Sequence, residues 1–137
     1  MRLHYAFALQ SAQGMGQVTG GLTDFKPPPN AYFYLDHDQR VTVTGGPDVD
    51  LPGKTWMTAN IIYGSGFLRG NGPDHMPAHT TLDLSVGKDF EKGLSVRFSA
   101  LNVTNRVFLT GFENSFAGTH YANPREFSVQ LRYKFHF

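Results

Sequence analysis

Phe127-Ser128-Val129-Gln130-Leu131-Arg132-Tyr133-Lys134-Phe135-His136-Phe137 puts an apolar residue at every odd position and a polar or charged one at every even position. Strict period-two alternation predicts a β-strand whose two faces meet unlike surroundings. The apolar face runs through to Phe137 and closes on aromatic rings, so it is expected to meet an apolar solvent.

The bulk properties set limits around this strand. The chain has 137 residues, room for one modest domain, and 12 Lys+Arg against 11 Asp+Glu leave a formal net charge of +1. Such a balance gives no reason to expect nucleic acid as a partner. Aromatic residues make up 14% and Gly numbers 15, while charged residues reach only 17%, against roughly 25% in ordinary soluble domains. That bias suits an all-β protein with a large apolar surface. The absence of Cys removes disulfides and thiolate metal sites.

No run approaches the ~18 consecutive apolar residues of a membrane helix, so any crossing must be made by strands. Met1 to Ala12 has one basic residue, an apolar centre and small residues after it, which raises the question of a signal peptide. Its uninterrupted apolar centre, Tyr5 to Leu9, falls short of the roughly 7 to 15 residues expected. Large Leu3, Tyr5, Phe7 and Leu9 with small Ala6 and Ala8 between them fit a strand better.

Six segments with strand character follow along the chain, at about Leu3–Gln10, Asp38–Leu51, Trp56–Phe67, Thr81–Phe90, Leu94–Asn102 and Phe127–Phe137. Gly45, Gly46 and Pro47 interrupt the second, predicting a bulge or weakened pairing. In the third, Met57, Ala59, Ile61, Tyr63 and Phe67 share a face, with Trp56 and Tyr63 expected near opposite ends of an apolar band. The fifth loses its parity after Ala100, which predicts a bulge or the strand's end. Gly14-Met15-Gly16 lacks the Lys-Ser/Thr and the following helix of a phosphate cradle and reads as a turn.

The connections carry as much information as the strands. Pro52-Gly53-Lys54 and Glu91-Lys92-Gly93 are tight turns, whereas Gly14 to Asn30, Arg69 to Asp74 and Asn105 to Pro124 lie in long polar, Gly- and Pro-rich connections. Long and short connections alternate. An all-β, antiparallel up-and-down meander results, with large loops on one side and tight turns on the other, as in outer-membrane barrels. Strands of about 9 to 11 residues, tilted by about 40°, would cross an apolar band near 25 Å. The slightly negative mean hydropathy of −0.30 does not object, since half of each strand is polar.

With these residues in view, the ending Pro124-Arg125-Glu126-Phe127-Ser128-Val129-Gln130-Leu131-Arg132-Tyr133-Lys134-Phe135-His136-Phe137 resembles the last barrel strand of TonB-dependent outer-membrane receptors. Leu94-Ser95-Val96-Arg97-Phe98-Ser99-Ala100-Leu101-Asn102-Val103-Thr104-Asn105 is similar to that family's penultimate strand. Asp36-His37-Asp38-Gln39-Arg40 and Asn60-Ile61-Ile62-Tyr63-Gly64-Ser65-Gly66 also look like its segments, and the resemblance covers nearly all 137 residues.

The resemblance implies a receptor and transporter in the bacterial outer membrane that takes up a scarce ligand (siderophore, cobalamin, metal or glycan). Such receptors add an energy-coupling box, a plug domain and a barrel of about 22 strands, so residues 1–137 would correspond to the C-terminal portion of the barrel. The implied partners are outer-membrane lipid, the remainder of the barrel and plug, the TonB energy-coupling complex through an N-terminal portion, and the barrel-assembly machinery through terminal Phe137. No cofactor is implied. Six strands fall short of the about eight of the smallest membrane barrels, which predicts two unpaired edges, an exposed apolar face and a tendency to associate.

Several side chains are candidates for ligand contact at the long-loop end. Asp36, His37, Asp38, His75, His79 and His120 could approach a metal or siderophore there; the plainer reading is polar strand-end residues facing water. Tyr121, with Tyr32, Phe33, Tyr34, Phe108, Phe112 and Phe116, could stack on a ligand or simply form an interfacial girdle. Asp83, Arg97, Arg132 and Lys134 are expected to face the lumen, either toward plug and substrate or in cross-strand ion pairing. The Asn102-Val103-Thr104 sequon carries no weight.

No Ser/His/Asp motif and no paired carboxylates stand out, so an enzyme is not expected. Two other classes make distinct demands. A barrel enzyme would need Asp36, His37, Asp38, Asp74, His75 and His79 to converge, and a soluble β-sandwich or lipocalin-like binding module would need its apolar strand faces to form a dry interior.

Overall fold

The computed structural model describes residues 1–16, 28–35, 37–70, 72–112 and 118–135. Six long strands carry the chain: β1 (Arg2–Leu9), β4 (Val41–Leu51), β5 (Thr55–Gly64), β6 (His79–Asp89), β7 (Leu94–Leu101) and β10 (Glu126–Tyr133). They form one antiparallel sheet in the order β1-β4-β5-β6-β7-β10. Each strand therefore pairs with its neighbour along the chain, and β1 and β10 are the two edges. Two short hairpins, β2 (Gln13–Met15) with β3 (Tyr32–Tyr34) and β8 (Leu109–Phe112) with β9 (Thr119–Tyr121), stand in the first and third long connections. The long connections lie at one end of the sheet and the tight turns at the other, as the alternating lengths predict.

Register joins the alternations into two continuous faces. Val49, Met57, Val86, Phe98 and Val129 stand opposite one another across five strands. On the reverse face Arg2, Asp48, Thr58, Ser85, Ser99 and Ser128 make a polar row across all six. A one-residue slip anywhere would mix the two sets, so the pattern itself fixes the pairing.

The apolar face is uncovered. Tyr5 is 85% exposed and Leu131 70%, and Phe7, Met57, Ile61, Val86, Phe98, Phe127 and Val129 are exposed as well. Among the described residues only Leu68, Met76 and Ala100 are buried apolar side chains, and no second layer packs on the sheet. Each large side chain left in water forgoes about 1.5 to 3 kcal/mol. The face as a whole therefore demands an apolar partner, and the dry interior of a sandwich is not formed by these residues.

Three sequence expectations are corrected, and a fourth is narrowed. Of the two outcomes expected at Gly45-Gly46-Pro47, the weakened pairing is found and the bulge is not: β1 pairs along the whole of it, while the β4–β5 ladder skips Gly46 and Pro47 and resumes in the same register. Pro47 lacks an N–H, and a Cβ on Gly46 would overlap the Ala59 carbonyl, so a close approach is kept rather than a bulge. Trp56 does not share the band of Tyr63; it lies on the polar face, with Asp50 and Gly87 opposite it. Phe67 leaves the strand, because β5 ends at Gly64 and Phe67 bridges to Gln39. The terminal strand ends at Tyr133, with Phe135 packed edge-on against that ring at 4.7 Å; His136 and Phe137 lie outside the described residues.

The turns explain themselves locally. Gly53 and Lys54 (φ 75° and 56°) close β4 onto β5, and Lys92 and Gly93 (φ 62° and 79°), in a single 3-10 turn Glu91–Gly93, close β6 onto β7. The Gly93 carbonyl accepts the Lys134 N–H at 3.0 Å, tying the chain beyond β10 to this turn.

Candidate functional site

At the long-loop end the polarity of the molecule is inverted. Asp38 is fully buried, the largest such side chain among the described residues. Its Oδ1 accepts the Ala12 N–H at 2.6 Å, and its Oδ2 meets Arg40 Nε at 2.9 Å and His75 Nε2 at 3.0 Å. The backbone joins in, with Asp38 N–H donating to Leu35 and Leu68 N–H donating to the Asp38 carbonyl at 2.8 Å. Burial raises the pKa of this carboxyl. The Ala12 N–H, the His75 ring and the Arg40 guanidinium together outweigh it, holding the group below its ordinary value. Tyr34 covers the cluster, with the Arg40 guanidinium 4.6 Å from its ring centroid and His75 edge-on at 6.5 Å.

A second group sits beside it. His79 is stacked between Phe108 at 3.7 Å and Phe67 at 5.6 Å, linking the second and third long connections. Gln39 Nε2 donates to Thr42 Oγ1 at 2.7 Å, while Gln39 Oε1 and His79 Nδ1 are buried without a partner. Both side chains press on Gly64, where a Cβ would overlap them. Glycine at the end of β5 is therefore what lets the pair pack over the strand.

The third connection is pinned by two asparagines in the left-handed region, Asn102 (φ 46°) and Asn105 (φ 51°). Asn102 Oδ1 accepts the Arg106 N–H at 2.8 Å, and its Nδ2 donates to the carbonyls of Arg106 and Asn123 at 3.0 and 3.1 Å. Asn105 Oδ1 accepts the Arg125 N–H at 3.0 Å. Asn is among the few residues that tolerate such a φ, so the point where β7 loses its parity is a clamp at the strand's end, not a bulge. The clamp role is absent from the sequence reading, although the two Asn three residues apart after a strand are its visible signal.

The predicted site residues separate into distinct places. Asp38 and His75 meet. His79 is taken by the aromatic stack, His37 faces Phe67 edge-on at 6.2 Å, and His120 stands beside Gly111 in the β8–β9 hairpin with Tyr121 exposed next to it. Asp36 and Phe116 lie outside the described residues. Among the described residues no three His, Asp or Glu side chains are placed to hold a metal ion. On the polar face Asp83 accepts the Asn102 N–H at 2.8 Å, and Arg97 donates to Ser85 and Ser99. Arg132 is exposed, and Lys134 lies just past β10.

Chemically, the long-loop end is a fastening. The carboxylate of Asp38 is buried and engaged on both oxygens, by one N–H on Oδ1 and by one guanidinium and one imidazole on Oδ2. What the outer surface offers a ligand is a small cleft of about 140 Å³ bordered by Arg69, His75, Met76, Pro77, Leu109 and Phe112. The Arg69 guanidinium lies over the Phe112 ring there at 5.7 Å. Comparisons with protein-family models, curated proteins and solved structures find no match.

Proposed function

We propose that this chain forms wall and outer loops of an outer-membrane β-barrel receptor of the TonB-dependent kind, serving energised uptake of a scarce ligand rather than catalysis. One observation carries the reading: a single apolar face, in register across the sheet and uncovered by any second layer among the described residues. A bilayer supplies the apolar solvent that this face needs, and the polar reverse face suits a lumen. The fastened loops at one end and the tight turns at the other agree with an outer and a periplasmic side. The open edges β1 and β10 would pair with further strands of the barrel. In that setting Asp83, Arg97, Arg132 and Lys134 face the lumen, and His75, with the Arg69–Phe112 cleft, borders the ligand's approach. The energy-coupling complex would act through the plug-bearing portion, and the assembly machinery would read Phe137.

Fractionation tests the proposal. The chain should be recovered with membranes, extract only in detergent and run with heat-modifiable mobility on gels. Recovery of a folded monomer from dilute buffer without detergent would overturn it.

A further inference from the structure

On the polar face, toward the tight turns, β5, β6, β7 and β10 frame a cleft of about 280 Å³. Trp56 forms one side. Its indole lies over Gly87, where a Cβ would overlap the ring, so the missing side chain on β6 lets the indole reach across to β7. There the Arg97 guanidinium stands 5.6 Å from the ring centroid. Arg97 is held in place: its Nε donates to Ser99 Oγ at 3.0 Å and its Nη2 to Ser85 Oγ at 3.1 Å. Both acceptors are neutral hydroxyls, so the cation is oriented and its charge is left uncompensated.

Arg132 opens onto the same cleft from β10, two residues beyond Gln130, which pairs with Arg97. No hydrogen bond or ion pair engages its side chain among the described residues. Asp89, the one carboxylate lining the cleft, forms an ion pair with neither arginine. The two arginines are diagonal neighbours on adjacent strands, Arg97 opposite Gln130 and Arg132 opposite Ser95, and both line the cleft. Guanidinium forks match carboxylate and phosphate oxygens in pairs, and one already fixed by two serines loses little freedom on binding.

We infer that this cleft is a binding site for an oxyanion, the carboxylate or phosphate group of a small molecule. Arg97 and Arg132 grip the oxygens, with Trp56 and Gln130 beside them. The inference stands on the polar face alone and does not need lipid on the other. In a barrel the site would lie inside the lumen near the periplasmic turns, far from the fastened loops.

Trp56 is the chain's single tryptophan, so its fluorescence reports on the site directly. The full chain in nonionic detergent is titrated at constant ionic strength with inorganic phosphate, with citrate, and with chloride as reference. The expected result is a saturable emission change, half-complete at roughly millimolar anion, for phosphate or citrate and not for chloride. Which of the two responds identifies the group recognised. Arg132→Gln should weaken the response at least about ten-fold with strand circular dichroism unchanged, and Arg132→Lys should restore part of it, since the charge returns without the fork. A response no different from that to chloride overturns the inference, as does an Arg132→Gln protein that titrates like the parent. Membrane fractionation is read on a separate sample, so failure of one proposal leaves the other standing.

Discussion

The sheet and the long-loop end of this molecule keep opposite rules. On the sheet Leu131 and Tyr5 stand open, while at the loops the carboxylate of Asp38 is sealed from solvent. A globule in water does the reverse, because burying apolar area is its main source of stability and an unpaired buried charge is prohibitive. The inversion is coherent when the sheet faces an apolar medium and the loops must hold their shape in water around as small an apolar cluster as Leu68 and Met76. Ionic and hydrogen-bonded fastening then adds at the loops what that little packing lacks.

Breaking the fastening gives the largest expected effect. Asp38→Ala strands Arg40 and His75 and frees the Ala12 N–H, at a cost of about 4 kcal/mol. Amide exchange should speed up at Ala12 and Leu68 while the β5–β6 ladder stays protected; equal protection in both proteins would show that the loops are held by something else. On the sheet, Leu131→Lys should cost roughly 2 to 4 kcal/mol in a refolded bilayer preparation. In water the same change at so exposed a position should stay within about 0.5 kcal/mol, so the denaturation midpoint in vesicles decides which solvent the face meets.

A smaller loss, about 2 kcal/mol, is expected for Asn102→Ala, which removes three side-chain hydrogen bonds and leaves alanine at φ 46°. Proteolysis within residues 103–124 should quicken, and unchanged cleavage would mean the clamp is dispensable.

The weakest lever is pH. Folding lowers the pKa of Asp38 below the unfolded carboxyl's ~3.9. Its contribution is therefore complete above that value and lost as pH falls through the folded pKa. Loop protection should fall only in acid, and Asp38→Asn should flatten that acid limb; an identical acid limb in the variant would assign the loss to another group.

The sheet is legible in the sequence because alternation is local. Phe127 to Tyr133, Leu94 to Ala100 and Leu82 to Val86 declare their two faces within a few residues, and glycine-bearing turns mark the joins. The fastening was not legible, because its parts are remote: Ala12 and Asp38 are 26 residues apart, and Asp38 and His75 are 37 apart. Trp56 was misplaced for a related reason. Its position depends on the empty Cβ site of Gly87, on the neighbouring strand. The β2–β3 and β8–β9 hairpins leave no such signal, because strands of three or four residues are too short to show a period.

The alternation of tight and long connections carries a kinetic consequence. Closing a loop costs entropy that grows with its length, about 0.6 kcal/mol per doubling. The hairpins β4–β5 and β6–β7, joined through residues 52–54 and 90–93, should therefore form first. Docking of one on the other through residues 65–78 would follow, and the edge strands β1 and β10, tethered by residues 10–40 and 102–125, would arrive last. The strands with an open edge are thus the ones the chain delivers at the end, which shortens the time in which an unpaired edge stands open to the wrong partner.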